Sequence, residues 1–292
     1  MQVDIIIPTY KRYALLQETL ESVKNQTYPN WICWISEDGE SQQTQEAAQP
    51  FLQDERFRYI SGPHTGSPAC ARNRAIKRGN GYLVAVLDDD DVWLLEKLET
   101  QVRFFEDNPQ CIMLGCNAYR WAGEETPHYH LPMYHQKKKF FGKIPPAAFV
   151  EENYLILSSV VIRRHALEKA GTFNESLPPL AVMAEDYELW LRIAAFGDVC
   201  NLKSTCLLYR VTPSTYYKDL NREERYKSRE ILLTSVVNKL ISIQKMESSS
   251  SINNYVSLLK TERDFYRSGP RFLGRVRHHF SKKFKSVISP SA

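Results

Sequence analysis

The chain has 292 residues, of which 43% are hydrophobic, and a formal net charge of +4. This length and composition favour one large core with an appendage over two full domains. No apolar stretch is long enough to span a membrane, and the strand-like residues directly after Met1 lead us to expect no secretory signal. We therefore expect a cytoplasmic protein, free or peripheral on the inner face of the cell membrane. The six cysteines lack paired zinc-ligand spacing, which favours reduced core thiols.

The first predicted element is a buried strand over residues 3–7, which ends in the turn formed by Pro8, Thr9 and Tyr10. Its uninterrupted apolar run favours a strand of a parallel sheet. From Tyr13 onward, apolar residues recur at helical spacing, so that strand, turn and helix follow one another as in a nucleotide-binding α/β domain. We therefore expect the turn after the first strand to face the ligand.

A second unit of the same kind follows. Residues 31–35 predict a strand, Glu37 and Asp38 lie in its acidic turn, and residues 42–52 predict a helix. Another strand is predicted over residues 82–87 and is followed by four consecutive aspartates, from Asp88 to Asp91. Two predicted strands therefore end in acidic turns.

The four aspartates predict a metal site. Carboxylates packed this closely repel one another, and a hard, oxygen-preferring cation such as Mg²⁺ or Mn²⁺ relieves the repulsion while leaving positions for a phosphate ligand. The alternative is a solvated loop, or the N-cap of a helix that we expect to begin at residue 92, a role suited to Asp91. We favour a metal that carries a diphosphate, because a solvated acidic face does not normally begin directly after an apolar strand.

Several short motifs occur in an order that resembles the family 2 glycosyltransferases, which have the GT-A fold. They are Ile5-Ile6-Ile7-Pro8-Thr9-Tyr10, Glu37-Asp38-Gly39, Gly66 through Ala71-Arg72-Asn73, Leu87-Asp88-Asp89-Asp90-Asp91, Gly171-Thr172-Phe173-Asn174-Glu175 and Glu185-Asp186-Tyr187-Glu188-Leu189-Trp190-Leu191-Arg192. The resemblance spans about residues 1–217 and implies an α/β catalytic domain with a mostly parallel central sheet flanked by helices. Residues 218–292 lie outside it, and their pattern predicts a basic helical extension.

The resemblance implies a role for individual residues. Asp88 and Asp90 would form the Asp-x-Asp motif of the family and hold Mn²⁺ or Mg²⁺, with Asp90 the more direct ligand. Asp38, together with Glu37, would contact the base or ribose of a nucleotide-sugar. The expected donor-binding residues are Pro8, Thr9, Tyr10, Glu37, Asp38, Arg72, Asp88 and Asp89.

Arg72 matches the arginine of the family's Arg-Asn pair, where a guanidinium fork suits a diphosphate or a uracil carbonyl. The alternative is a salt bridge from Arg72 to one of the acidic turns. Two positions depart from the family pattern, because Glu37 replaces the usual aspartate and Thr212 stands where a histidine is often found. The second departure removes a further candidate ligand for phosphate or metal.

The catalytic base that the resemblance implies is Asp186, with its neighbour Glu185 as the second choice. A carboxylate opposite the leaving group can take the proton of an acceptor hydroxyl, which contributes about 10²–10⁴-fold in rate. The alternative is that both residues form the acidic first turn of a helix over residues 187–196, where carboxylates interact favourably with the helix dipole. The two roles are compatible.

Two later stretches have no counterpart in these motifs. Residues 121–154 are polar, aromatic and basic, and we expect an acceptor loop there; a zinc site at His128 and His130 is disfavoured for lack of further ligands. From Arg263 to Ile288, phenylalanines alternate with arginines and lysines, as in a helix on anionic lipid. Docking on the chain's own domain or on a second copy is the alternative, and nucleic acid is disfavoured because it would leave the acidic site unexplained.

These features together predict an inverting, metal-dependent hexosyltransferase. It would move one sugar from a nucleotide-sugar, for which we expect a UDP-sugar, to a hydroxyl of a glycan or lipid-linked glycan in the assembly of bacterial surface polysaccharide. One alternative is a sugar-1-phosphate nucleotidyltransferase, which the lack of glycine in the turn after the first strand disfavours. The other is a catalytically silent carbohydrate-binding or scaffold protein, which the intact carboxylates disfavour.

Overall fold

The computed structural model describes residues 1–123, 131–134, 141–178, 180–181, 184–211, 220–244 and 250–268. Within these residues the strands are β1 (Val3–Thr9), β2 (Trp31–Asp38), β3 (Phe57–Gly62), β4 (Leu83–Val86), β5 (Val92–Trp93), β6 (Cys111–Trp121), β7 (Gly142–Lys143), β8 (Val161–Arg163) and β9 (Asp198–Arg210). The α-helices are α1 (Tyr13–Lys24), α2 (Gln42–Ala48), α3 (Pro68–Arg78), α4 (Lys97–Asp107), α5 (Pro146–Glu151), α6 (Arg164–Ala170), α7 (Glu185–Ile193), α8 (Arg222–Gln244) and α9 (Ser250–Arg267).

The strands in the described part of the chain form one nine-stranded sheet. Its order is β3-β2-β1-β4-β8-β6-β9-β5, with β7 paired to β9. β3, β2, β1 and β4 are parallel neighbours and β6 is parallel to β9, whereas β8 is antiparallel to both β4 and β6. The predicted α/β fold, with a mostly parallel central sheet flanked by helices, is confirmed.

The packing of β1 explains its uninterrupted apolar sequence. All seven residues of the strand are buried. Because successive side chains point to opposite faces of a strand, Ile6 packs in a cluster that includes α3, α6 and α7, while Ile5 and Ile7 pack in a second cluster that includes α1 and α4. Helices therefore cover both faces of these strands, as parallel sheets require.

The carboxyl ends of β1, β2 and β4 meet at one edge of the sheet. In the parallel register, Thr9 at the end of β1 lies beside Glu37 of β2, and Ile6 lies beside Val86 at the end of β4. Glu37 and Asp38 are the last residues of β2, because they pair with β3, and do not form the turn predicted for them. This edge therefore gathers the turn after β1, these two acidic residues and the aspartates that begin at Asp88.

The helix predicted from residue 92 is wrong. Residues 92 and 93 form β5, which pairs with β9, and α4 begins only at Lys97. Tertiary contacts decide this, because the Trp93 ring is buried and its Nε1 donates a hydrogen bond to the Ser158 carbonyl at 2.8 Å. Asp91 is therefore not an N-cap, and its Oδ1 accepts a hydrogen bond from the Arg210 backbone at 2.8 Å.

Two other helices differ from their predicted bounds. α2 ends at Ala48, four residues before the predicted end at residue 52. α7 covers Glu185–Ile193, whereas the predicted helix covers residues 187–196. Glu185 and Asp186 consequently lie inside the first turn of α7, where their charges favour the helix dipole.

α8 and α9 complete the core on the face of the sheet that Ile6 occupies. Their buried residues are Leu232, Leu233, Val236, Val237, Leu240, Ile252, Tyr255, Val256 and Leu259, and all belong to the same hydrophobic cluster as Ile6. Arg229 of α8 also donates hydrogen bonds to the Val150 carbonyl and, at 2.9 Å, to the Tyr187 hydroxyl. These helices therefore share the hydrophobic core of the sheet, while the domain boundary at residue 217 stays a prediction.

The first residues of the predicted lipid-binding segment contact other residues of this chain. Arg267 forms a 2.9 Å ion pair with Glu230 of α8, and the Phe265 ring lies 5.3 Å from the ring of Tyr266. Residues 269–292, which carry the rest of that segment, lie outside the described residues, as do His128, His130 and Thr212.

Two simpler expectations can also be compared with the structure. None of the helices that the structure describes is long and apolar enough to cross a membrane. All six cysteines are free thiols and five of them are buried, which confirms that they serve as core residues.

Replacing Leu233 with alanine should lower the free energy of unfolding by about 2–5 kcal/mol, because loss of a fully buried leucine side chain leaves a cavity in the hydrophobic cluster that α8 shares with α6 and α7. Urea denaturation of the whole chain measures the change. Asn238→Ala, at an exposed position of the same helix, is the matched control and should change stability by less than about 1 kcal/mol. An equal, small effect of both substitutions would show that α8 does not share the core.

Candidate active site

Three carboxylates converge after β4. Asp88, Asp90 and Asp91 each offer an oxygen, and these oxygens all lie within 4.8 Å of one another. Asp91 is 1% exposed, and its Oδ2 is buried without a hydrogen-bond partner among the described residues. An unpaired buried carboxylate oxygen in a group of three fits a divalent cation with oxygen ligands. Asp88 and Asp90 are the predicted pair, and Asp91 is a ligand candidate that the motif did not identify.

The electrostatics of this group also favour a cation. Burial raises the pKa of Asp91 well above its ordinary value, and the neighbouring charges of Asp90 and Asp88 raise it further. Burial likewise raises the pKa of Asp89 to about 6, against the opposing effect of Arg12. Like charges that are desolvated together disfavour the ionised form unless a positive charge is added. Mn²⁺ and Mg²⁺ both match a set of ligands that consists of oxygen atoms only.

Arg12 supplies a positive charge to the aspartates from the turn after β1. Its Nη1 lies 2.6 Å from Asp90 Oδ2 and 3.1 Å from Asp89 Oδ1. The preceding residue, Lys11, has a φ of +55°, a left-handed conformation that is uncommon outside glycine. Arg12 was not predicted as a site residue from the sequence. Lys11 and Arg12, two basic residues directly after the turn expected to face the ligand, could have indicated it.

Arg72 links the aspartates to α7. The side chain is 4% exposed; its Nη2 lies 2.7 Å from Asp88 Oδ1, and its Nη1 forms an ion pair with Glu185. The salt bridge that the sequence left as an alternative for Arg72 is therefore present, while its contact with a donor stays a prediction. Burial raises the pKa of Glu185 to about 7, despite the neighbouring guanidinium.

Asp186 lies next to this ion pair at the start of α7. Its Oδ1 accepts a hydrogen bond from the backbone N–H of Tyr187 at 2.6 Å. Burial raises the pKa of Asp186 to about 6, so the carboxylate is mostly ionised at pH 7 and can still accept a proton. Asp186 thus has the protonation state that a general base requires.

A buried ion pair fixes the orientation of α7. Arg192 lies 2.7 Å from Glu188 one turn earlier on the helix, and it donates a hydrogen bond to the Thr172 carbonyl at 2.7 Å. Glu188 in turn accepts a 2.8 Å hydrogen bond from the Ser235 hydroxyl of α8. These contacts give Glu188 and Arg192, the two later charged positions of the Glu-Asp helix motif, a structural role.

Asn73, the neighbour of Arg72, holds the turn between α6 and α7. Its amide donates to the Phe173 carbonyl at 2.9 Å and accepts from the Phe173 backbone N–H at 3.0 Å. Gly171 opens this turn with a φ of +80°, which favours glycine. The Arg72 guanidinium lies 5.2 Å from the centroid of the Phe173 ring. The Arg-Asn motif therefore connects the turn to the ion pairs of the site.

Asp38 lies at the end of β2 and is bound by the loop after β3. Its Oδ1 accepts from the Thr65 backbone at 2.8 Å and from the Thr65 hydroxyl at 2.7 Å, while Oδ2 accepts from the Gly66 backbone at 2.8 Å. His64 Nδ1 lies 3.0 Å from the same Oδ2. Burial alone would raise the pKa of Asp38, but these hydrogen bonds outweigh it and lower the pKa.

The aromatic ring of Tyr10 lies beside this carboxylate. It is 40% exposed and stacks on the His64 ring with a centroid distance of 4.3 Å and an interplanar angle of 11°. Gly39, with a φ of +131°, passes close to the Tyr10 ring and to Cβ of His64. His64 thus bridges Tyr10 and Asp38, and neither His64 nor Thr65 was predicted from the sequence.

Glu37 points into the protein. The side chain is fully buried, and it accepts hydrogen bonds from the Thr44 hydroxyl at 2.7 Å, from the Ser41 backbone at 3.2 Å and from the Tyr59 hydroxyl. These partners fix the start of α2 against β2 and β3. The predicted contact of Glu37 with a donor stays a prediction, as do those of Pro8 and Thr9, which lie in the sheet beside Ser36 and Glu37.

Aromatic residues lie on the other side of the aspartates. Residues 131–134 run along the end of β6, where the Tyr134 backbone N–H donates to the Ala118 carbonyl at 2.8 Å. The Tyr134 ring is 43% exposed and packs edge-on against Tyr209 at 5.2 Å. Burial raises the pKa of Tyr134, and the negative charges of Asp186 and Asp91 raise it further.

Comparison with known proteins finds relatives that are named as glycosyltransferases. The chain is 38% identical over 215 residues to an uncharacterized glycosyltransferase of Rickettsia felis, covering 73% of this chain and 34% of that protein, so it spans about a third of that relative's length. It is 28% identical over 227 residues to WfgD of Escherichia coli, a UDP-Glc:alpha-D-GlcNAc-diphosphoundecaprenol beta-1,3-glucosyltransferase, covering 76% of this chain and 83% of WfgD.

A solved structure has the same fold. Residues 1–349 of S. aureus TarS, in complex with UDP-GlcNAc, superpose with a TM-score of 0.69 at 16% identity, covering 94% of this chain and 75% of that one. The family model described as "Glycosyl transferase family 2" matches residues 4–171, which is more than half of the chain and includes Asp38, Arg72 and the aspartates from Asp88 to Asp91. The chain therefore belongs to glycosyl transferase family 2 and has the GT-A fold.

Proposed function

We propose that the chain transfers one sugar from a UDP-sugar to a hydroxyl of a glycan or lipid-linked glycan, with inversion at the anomeric carbon. The observation that carries this proposal is that Arg72 forms ion pairs both with Asp88, in the group of three aspartates, and with Glu185, the neighbour of Asp186. Family membership supports sugar transfer, and the surface-polysaccharide setting is supported by the lipid-linked acceptor in the name of WfgD.

Asp88, Asp90 and Asp91 are the residues that would hold Mn²⁺ or Mg²⁺. When bound, the cation would neutralise charge on the departing diphosphate. Arg12 and Arg72 border the same aspartates, and their guanidinium groups can pair with phosphate oxygens through two parallel N–H donors. With a metal bound at the aspartates, the donor phosphates would contact that metal and these two guanidinium groups.

Asp186 is the proposed general base. It takes the proton of the acceptor hydroxyl while the new bond to the anomeric carbon forms and the bond to the diphosphate breaks. Glu185 is less suited to this step because its carboxylate is paired with Arg72. With one base and one displacement, an α-linked donor gives a β-linked product.

The nucleotide is proposed to lie over Tyr10 with its base near Asp38. A UDP donor is supported by the name of WfgD and by the UDP-GlcNAc complex of TarS. We also propose that residues 269–292 hold the protein peripherally at an anionic membrane, since this stretch is rich in arginine, lysine and phenylalanine.

The rate of transfer should depend on the ionisation of Asp186. The carboxylate form is required, and its pKa lies at about 6, so the rate should be nearly constant above pH 7 and fall as the pH drops through 6. At pH 5 about one-tenth of the plateau rate should remain, since about one-tenth of the group stays ionised. Initial rates of UDP release at saturating Mn²⁺ measure this profile, and a rate independent of pH from 5 to 8 would contradict the assignment.

The proposed activity is tested by offering UDP-, GDP- and dTDP-sugars with and without Mn²⁺ and measuring release of the nucleoside diphosphate. We expect UDP-sugars to be hydrolysed slowly, and only with the metal. Formation of diphosphate from a nucleoside triphosphate and a sugar-1-phosphate would instead support a nucleotidyltransferase. Turnover of none of the donors would support a silent scaffold.

A further inference from the structure

His64 makes two contacts that a nucleobase would make in the same place. Its ring lies nearly parallel to that of Tyr10, 4.3 Å away, and its Nδ1 lies 3.0 Å from both the Asp38 carbonyl oxygen and Asp38 Oδ2. Both of these atoms are acceptors, so Nδ1 must carry a proton and donate it. A planar ring that stacks on a tyrosine and donates an N–H to a carboxylate describes uracil as well as this imidazole.

The Asp38 carboxylate is surrounded by donors. Oδ1 accepts two hydrogen bonds from Thr65 and Oδ2 accepts one from Gly66, while His64 Nδ1 donates to the Asp38 backbone carbonyl and lies 3.0 Å from Oδ2. An incoming N–H that approaches this carboxylate across the Tyr10 ring must therefore displace one of these donors. Three of them belong to Thr65 and Gly66, whose backbone closes the loop onto β2. His64 is half exposed and contacts Asp38 through its side chain, so it can leave by a rotation about its own side-chain bonds.

We propose that His64 occupies the base position in the ligand-free protein and that the uracil of the donor replaces it on Tyr10 and Asp38. This inference rests on the proposed function, because it requires a uridine nucleotide as the ligand. His64 then acts as a competitor of the base: it keeps the carboxylate paired and the tyrosine ring covered until the donor arrives. The free energy needed to displace it reduces the apparent affinity for the donor.

The proposal predicts that a smaller side chain at position 64 strengthens nucleotide binding. His64→Ala should bind UDP about 2- to 12-fold more tightly than the unchanged chain, the factor that corresponds to one lost aromatic stack. Binding of inorganic diphosphate with Mg²⁺, which reaches the aspartates and lacks a base, should be unchanged. Calorimetric titration of both ligands measures these affinities, and His165→Ala, an exposed histidine on α6, is the matched control.

Unchanged or weaker UDP binding by His64→Ala would overturn the proposal, because His64 would then be a bystander or a contact of the base. A test on the unchanged chain does not depend on the folding of a variant. The NMR signal of the His64 ring should shift when UDP and Mg²⁺ are added and should stay in place with Mg²⁺ and diphosphate. A signal that stays in place with UDP would also overturn it. If UDP binds neither chain, the UDP donor of the proposed function fails as well, whereas equal binding to both contradicts this inference alone.

Discussion

Replacing Asp186 with asparagine should lower the rate of sugar transfer by about 10²–10⁴-fold and leave UDP affinity nearly unchanged. The amide has the size of the carboxylate and cannot accept the proton of the acceptor hydroxyl. The contacts with Tyr187 and α7 can remain, because the amide oxygen still accepts a hydrogen bond at Oδ1. Steady-state rates and calorimetric titration of UDP on the same preparation measure the two quantities.

Glu185→Gln is the informative control for this substitution. Glu185 is adjacent in sequence, buried and paired with Arg72, so its loss removes a charge from the same site without removing the proposed base. We expect a smaller loss of turnover than for Asp186→Asn. Near wild-type turnover of Asp186→Asn, or a larger loss in Glu185→Gln, would place the base elsewhere.

Asp90→Ala should abolish the increase in UDP affinity that Mn²⁺ provides, while the protein stays folded. The substitution removes one oxygen ligand of the proposed metal and also the ion-pair partner of Arg12. The metal and Arg12 are both positive charges that would attract the diphosphate. Removing one ligand that a bound metal requires typically costs much of the metal affinity. Without the metal, the proposed contacts that remain for UDP are those of the arginines with its phosphates and those of Tyr10 and Asp38 with its base.

Calorimetric titration of UDP with and without Mn²⁺ measures this effect. Asp107→Ala, an exposed aspartate at the end of α4, is the matched control and should keep the full enhancement. Thermal unfolding should change little in Asp90→Ala, because the substitution relieves repulsion among buried carboxylates. A metal enhancement that persists in Asp90→Ala would contradict the ligand assignment.

The sequence predicts those parts of the site that depend on local pattern. An apolar run that stops at Pro8 predicts the end of β1 to within two residues, since the strand continues to Thr9. The four aspartates that follow the predicted strand over residues 82–87 predict a candidate cation site, because parallel strands bring their carboxyl ends to one edge. Glu185 and Asp186 were likewise expected in the first turn of a helix, where the structure has them. The family motifs implied which part of the ligand each site residue would contact, but they did not give the distances between the site residues.

The parts that the sequence did not predict depend on contacts between distant segments. Trp93 pairs with β9 and packs against Ser158, so a stretch with helical composition forms a strand. Arg12 reaches Asp90 across 78 residues of sequence. His64 reaches Asp38 only because β3 runs beside β2. The helices beyond residue 217 likewise owe their position to burial against α5 to α7, which their own periodicity cannot specify.

The stereochemistry of the released sugar tests the central claim most directly, since it needs no knowledge of the acceptor. Water should take the place of the acceptor hydroxyl when the UDP-sugar selected by hydrolysis is mixed with a stoichiometric amount of the chain and Mg²⁺. Proton NMR in the first minutes should then show UDP and the β anomer of the sugar, and neither should form with Asp186→Asn. The α anomer as the first product, or β-sugar formed at an equal rate by Asp186→Asn, would contradict a single displacement assisted by Asp186.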